Sequence, residues 1–262
     1  MKKLFGVVCC LVATVTCTTT AQADLVVGQT VGIDFTTTMP VFVASGAVST
    51  PPSIASGFNA FTADIADGAS ANLGAGTLEA TDTTLLAGLD FTVQNNLGKD
   101  TGLTGLAGGE GSGIFNDTTI FSDSIGAANV GNADRADTGL LAADANLVLT
   151  FSGLDDGLIY TFEGGYDTGA ASSGNFDLDL TDITAGGTGG TVATDTNGNG
   201  YQALTGLVTD GSGNITIQVD RRGAQLFVGG VALTATAVAV PEPSSLALLG
   251  LGVCGLVIRR RK

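Results

Sequence analysis

The stretch DTNGNGY places Asp195, Asn197 and Asn199 at alternate positions ahead of Gly200. Oxygen donors at that spacing, with glycine at the sixth position, make the first half of a calcium loop: the chain wraps one hard cation and glycine permits the bend. The twelfth position, which should be a bidentate glutamate, is Gly206. Asn-Gly is also a strong hairpin signal. The stretch therefore reads as a turn, with Asp195, Asn197 and Asn199 kept as a calcium candidate and no other cofactor expected. Asp210 to Asn214, in TDGSGN, reads as a turn before a strand.

Few other chemistries are open to this chain. It has no histidine, which removes the usual general base, the commonest zinc ligand and the Ser-His-Asp triad. Cys9, Cys10, Cys17 and Cys254 sit near the ends, so the stretch from Asp24 to Val240 has no disulfide, thiol nucleophile or thiolate zinc site. LAGGEGSGIF lacks the Gly-Lys-Ser/Thr ending of a phosphate loop. Paired carboxylates survive as a candidate, because a glycosidase needs two acids facing each other across a cleft. Without tryptophan, stacking on a sugar would fall to Tyr160, Tyr166 and Tyr201. Between Asp24 and Val240 four cations, Lys99, Arg135, Arg221 and Arg222, face 24 carboxylates, a balance of −20. Such a surface repels phosphate backbones, so no nucleic acid partner is expected.

The elements that must carry these residues are strands. NLVLTF alternates with Leu147, Leu149 and Phe151 on one face, and LIYTFEGG with Leu158, Tyr160 and Phe162. NFDLDLTDI sets Phe176, Leu178 and Leu180 against Asp177, Asp179 and Thr181. NITIQV sets Ile215, Ile217 and Val219 against Asn214, Thr216 and Gln218, and QLFVGGVALTATAV closes the body. One dry and one wet face, repeated with turn residues between, predicts antiparallel sheets stacked as a sandwich. In the first half LVVGQTVGIDF, PVFVASGAV and LLAGLDFTV read as strands, and GIFNDTTIFSD holds a further candidate. Asn95 to Ser112 reads as a long loop, and IGAANVGNADRAD as a short helix or loop.

Both ends read as addresses. Lys2 and Lys3, the apolar run Leu4 to Val15, and the small residues Ala21 and Ala23 have the three parts of a secretory signal, with cleavage by signal peptidase after Ala23. Lipid attachment at Cys17 is set aside, since the preceding TVT lacks the usual small-residue pattern. At the other end, Leu246 to Ile258 is an unbroken apolar run. At ~1.5 Å per helical residue it covers roughly 20 Å, short of the ~30 Å hydrocarbon core, and crosses only with local thinning and snorkelling arginines. Arg259, Arg260, Arg261 and Lys262 favour the cytoplasmic side.

The order Val240-Pro241-Glu242-Pro243, short transmembrane helix, Arg259 to Arg261 resembles the PEP-CTERM sorting signal of exported bacterial proteins. That resemblance implies a membrane protease, exosortase, as partner, with processing near Pro-Glu-Pro. It also implies transient inner-membrane anchoring, then release to the cell surface or outside. Pro241 and Pro243 suit the role, because they hold the backbone extended for a protease cleft.

VGIDF, TFSGLDDGLIYTFEGG, LTGLVTDGSGNITIQV and VGGVALTA resemble phrases of exported planctomycete-type proteins, and of galactose-binding-like jelly rolls and carbohydrate-binding modules. The resemblance implies an all-β antiparallel sandwich whose last strand returns beside its first, and extracellular polysaccharide as a ligand. The expected organisation is a signal peptide over 1–23, one sandwich over 24–238 and the sorting signal over 239–262. The expected function is a non-enzymatic protein of the cell surface or extracellular matrix. The alternatives are a secreted glycan hydrolase using paired carboxylates and a purely structural matrix component.

Overall fold

Alternation decides the second half of the chain. In the computed structural model Leu147, Leu149 and Phe151 are buried while Asn146, Val148, Thr150 and Ser152 are half-exposed. The same pattern buries Tyr160 and Phe162, Leu178 and Leu180, and Ile215, Ile217 and Val219. The structure describes residues 25–35, 41–42, 48–49, 57–74, 76–105, 115, 123–128, 144–165, 177–194, 200–223 and 225–238.

Apart from a 3-10 turn at Phe115, the regular elements among the described residues are strands. In chain order they are β1 (Thr30–Phe35), β2 (Val41–Phe42), β3 (Val48–Ser49), β4 (Phe58–Phe61), β5 (Ser70–Leu73), β6 (Asp90–Asn96), β7 (Gly102–Gly105) and β8 (Asp123–Ala128). There follow β9 (Asn146–Ser152), β10 (Leu158–Gly165), β11 (Leu178–Asp182), β12 (Gly190–Ala193), β13 (Tyr201–Leu207), β14 (Ile215–Arg221), β15 (Gln225–Val228) and β16 (Gly230–Val238). A five-stranded sheet runs β13-β10-β16-β1-β4 and a six-stranded sheet β12-β11-β14-β9-β6-β5. A three-stranded sheet, β15-β8-β7, and the β2-β3 hairpin complete the set. The last strand returns beside the first: β16 pairs antiparallel with β1, Thr30 opposite Thr234 and Asp34 opposite Gly230. The pairing of β1 with β4 is parallel.

The two large sheets face each other as a sandwich, and one apolar cluster joins them. Val31, Ile33, Phe162 and Leu233 come from the five-stranded side; Phe91, Leu147, Phe151 and Ile217 come from the six-stranded side. Rings bridge the layers, Phe35 lying 6.3 Å from Phe91 and Phe151 6.5 Å from Phe162, while Phe91 and Phe151, cross-strand neighbours in the six-stranded sheet, are 4.8 Å apart. Such offset and edge contacts add to area burial in fixing the packing.

The first half departs from its sequence reading in several places. Asn95 to Ser112 is not one long loop: β6 runs on to Asn96 and Gly102–Gly105 is a strand. Buried Asn95 ties the intervening bend, its Nδ2 donating to the carbonyls of Ile65 and Lys99. IGAANVGNADRAD begins as strand rather than helix, because Asp123–Ala128 bonds β7 on one side and β15 on the other. Its Gly and Ala residues carry no periodicity, so the backbone ladder decides. QLFVGGVALTATAV breaks at Gly229 into strands of two different sheets, with Gly229 donating to the Gly165 carbonyl and accepting from Phe35. LVVGQTVGIDF becomes strand only from Thr30, after a turn closed by Gln29 N to the Val26 carbonyl. PVFVASGAV is the β2-β3 hairpin rather than one strand. Apart from Phe115 and Asp123, GIFNDTTIFSD lies outside the described residues.

Candidate functional site

The sequence candidates fall unevenly on the fold. Asp195, Asn197, Asn199, Tyr166, the cleavage residues Ala21 and Ala23, and everything from residue 239 onward lie outside the described residues. Tyr160 is a core residue, not a surface platform. Its hydroxyl accepts from the Asp155 N–H and donates to the Asp155 carbonyl, both at 3.0 Å, closing the SGLDDG turn. Tyr201 is also buried, its ring stacked 4.3 Å from Phe115 with 9° between planes.

Many of the acids serve as loop acceptors. Asp210 takes the N–H groups of Ser212 and Asn214 on Oδ1 and the Asn214 amide on Oδ2, so TDGSGN is a turn before β14. The Asn214 side chain, then those backbone donors, hold the Asp210 carboxyl below the ordinary range. Asp156 Oδ1 accepts from the Thr209 hydroxyl at 2.5 Å and from Gly213 N at 2.9 Å, linking two loops. Asp182 Oδ1 accepts from Thr184 N, and its Oδ2 from Gly189 N and the Thr188 hydroxyl. Asp82 takes Gln29 and Thr84, and they lower its pKa, Gln29 most. Aspartate accepting from a backbone N–H two residues on organises a turn without any cation. Among the described residues no three His, Cys, Asp or Glu side chains group to hold a metal.

The outer face of the five-stranded sheet carries an aromatic cluster beside a carboxylate. Strand register places Tyr201, Gly165, Gly230, Asp34 and Ala60 in one row, and Ala203, Glu163, Ala232, Gly32 and Phe58 in the next. Phe58 meets Phe115 edge-on at 5.8 Å, and Phe115, Tyr201 and Ala232 are buried together. Glycine is required beneath them. A Cβ at Gly32 would run into the Phe58 ring, and Gly165, with φ of +151°, would press one into the Gly200 carbonyl. Glu163 is half-buried beside buried Ala232, and desolvation raises its pKa. Asp34 is fully buried. Sheet spacings separate the Glu163 and Asp34 Cα atoms by about 12 Å, and Phe58, from β4, covers Gly32, two residues along β1 from Asp34.

The outer face of the six-stranded sheet is different: hydroxylated and amidated. One register row holds Thr191, Thr181, Gln218, Val148, Gln94 and Ser70; the next holds Thr216, Thr150, Thr92 and Asn72. Neighbours bond across strands, Thr181 to Thr191 at 3.0 Å, Thr150 to Thr216 at 3.4 Å and Asn72 to Thr92 at 3.2 Å. Asn96 donates to Asn146 at 3.0 Å, and Gln94 to Asn96 at 3.3 Å. The charges stand at its margins. Asp90 takes Asn72 at 2.7 Å, Asp220 takes Gln218 on both oxygens at 2.9 Å, and Asp179 pairs with Arg222 at 3.5 Å. Composition alone could not single this surface out, since Thr and Asn occur throughout the chain; it emerges only once six strands are placed in register.

Comparison with known proteins bears on the two ends of the problem separately. Residues 239–262 match the PEP-CTERM protein-sorting motif. That motif implies export, anchoring in a membrane before processing, and processing by exosortase, a membrane protein. No helix among the described residues is long and apolar enough to cross a membrane. Among solved structures, the chain is similar to CBM35 from Cellvibrio japonicus Abf62 at 16% identity and a TM-score of 0.27, covering 45% of this chain and 87% of that one. No curated protein matches.

Proposed function

We propose that this chain is a non-enzymatic protein of the cell surface or extracellular matrix that displays a polysaccharide-binding β-sandwich after exosortase sorting. The observation that carries the proposal is the sorting motif at 239–262. In this account residues 1–23 are a signal peptide removed after Ala23, and residues 24–238 form one jelly-roll sandwich of the galactose-binding-like kind. Residues 239–262 are the sorting signal. Val240, Pro241, Glu242 and Pro243 are presented to the protease, the apolar run anchors the precursor, and Arg259, Arg260 and Arg261 hold the tail on the cytoplasmic side. No cofactor is assigned. The sandwich itself is supported as a display module by its dense aspartate-stapled loops, which fix the turns between strands without a metal.

The test is cell fractionation of the full-length chain with Glu242→Ala, and separately with Arg259 to Lys262 deleted. Wild type is expected outside the inner membrane; both variants are expected to remain there as larger precursors. Variants that reach the surface at wild-type size would overturn the assignment.

A carboxylate-only hydrolase has one observation in its favour, the raised pKa of Glu163, which is what a general acid requires. Against it, the positions that flank Glu163 on that face, Ala203 and Ala232 across the strands and Thr161 and Gly165 along its own, carry no carboxylate to pair with it. Display without catalysis is therefore preferred.

A further inference from the structure

The outer face of the six-stranded sheet differs from that of the five-stranded sheet among the described residues. Its two central rows, from Thr191 to Ser70 and from Thr216 to Asn72, carry no charged side chain, although the body between Asp24 and Val240 has a balance of −20. At ~4.8 Å per strand, six strands give a surface roughly 24 Å across. Apart from Val148, each position of the two rows offers a hydroxyl or an amide. A threonine hydroxyl has one donor and two acceptor sites, and an amide two of each, so one cross-strand bond leaves capacity for a ligand. Those same bonds hold the rotamers: Thr150 is held against Thr216, Asn72 against Thr92, and Gln218 against Asp220. Side chains already held lose little freedom when a ligand arrives.

We infer that this face, through Thr92, Gln94, Thr150 and Gln218, binds an extended neutral polysaccharide lying across the strands. The inference rests on the polysaccharide reading above and adds the face and the charge class. An array of donors and acceptors without charge matches a chain of hydroxyl groups. Asp90 and Asp220 at the margins, and the negative body as a whole, repel uronate or sulfate chains. No aromatic ring stands in either row, so affinity comes from many hydrogen bonds rather than stacking, and it grows with chain length.

The test is affinity electrophoresis of the full-length chain in mild detergent, with soluble mixed-linkage glucan, galactomannan or dextran in the gel, and alginate or pectate as the charged arm. At least one neutral polymer should retard the wild type, and the charged ones should not. Thr92→Ala/Thr150→Ala/Gln218→Ala should weaken retardation tenfold or more, while Thr92→Ser/Thr150→Ser keeps it and Glu163→Gln leaves it unchanged. Gln94→Asp, at an exposed position away from the core, should weaken it too, which covers the case in which the triple variant melts early. Wild-type retardation undiminished in the triple variant and in Gln94→Asp would overturn the assigned face and leave polysaccharide binding standing. Retardation by the charged polymers alone would overturn the charge class. No retardation by any polymer would overturn both this inference and the binding reading beneath it.

Discussion

Ile217→Asp against Thr216→Asp reads the sandwich in two adjacent residues. Ile217 is fully buried in β14, between β11 and β9, facing the core cluster; Thr216 is half-exposed on the other face. Losing the isoleucine burial costs about 2–3 kcal/mol. The carboxyl in its place adds about 2–5 kcal/mol, depending on whether it takes a proton or stays ionised. The sum, roughly 4–8 kcal/mol, is a large share of the ~5–15 kcal/mol that holds a domain of this kind together and matches all of it at the lower end. Thr216→Asp gives up a 3.4 Å contact to Thr150, while the backbone N–H of residue 216 still donates to the Thr184 hydroxyl oxygen. That change should cost under about 1 kcal/mol. Thermal melts followed by far-ultraviolet circular dichroism separate the cases. Ile217→Asp should show no cooperative transition or one lowered by tens of degrees, and Thr216→Asp should melt within a few degrees of wild type. Equal melts would refute the assignment of faces, and with it the register that builds both outer surfaces.

Tyr160→Phe should lower stability by about 1–2 kcal/mol in a denaturant titration, because Asp155 N–H and C=O both lose their partner. Gly32→Val should cost about 1–3 kcal/mol by driving a side chain into the Phe58 ring, and adding Phe58→Ala should recover part of it. Desolvation raises the Glu163 pKa in the fold, so its ionisation opposes folding: the penalty is absent below the ordinary value of 4.5, grows as pH rises towards the folded pKa and is complete above it. Glu163→Gln should therefore melt higher than wild type at pH 7, with the gap closing as pH falls towards 4.5; a gap that widens in acid would show the sign to be wrong.

Strands with strict apolar alternation could be read directly. β9, β10 and β14 have buried faces made of Leu, Ile, Phe, Val and Tyr at every second position, so one residue type after another repeats the same instruction. β7 and β8, Gly102–Gly105 and Asp123–Ala128, could not be read, because glycine and alanine record no face and only the partner strands define them. The break at Gly229 was hidden for a related reason: both flanking strands are apolar, and what separates them is a backbone exchange with Gly165 and Phe35 distant in sequence. The acids were legible as turn residues but not as to their partners, since Asp156 reaches Thr209 and Gly213 more than fifty positions away. Tyr160 read as one of three candidate sugar platforms although its own alternation placed it inward; the structure follows the alternation. The hydroxyl and amide rows were beyond the sequence, because they belong to six strands at once.

Intact mass measurement of the mature protein recovered from the cell surface tests the central claim most directly. Sorting through the tail predicts a product that begins at Asp24 and ends near Pro241-Glu242-Pro243, without the apolar run or Arg259, Arg260, Arg261 and Lys262. A mature surface form that still ends in Lys262 would contradict it.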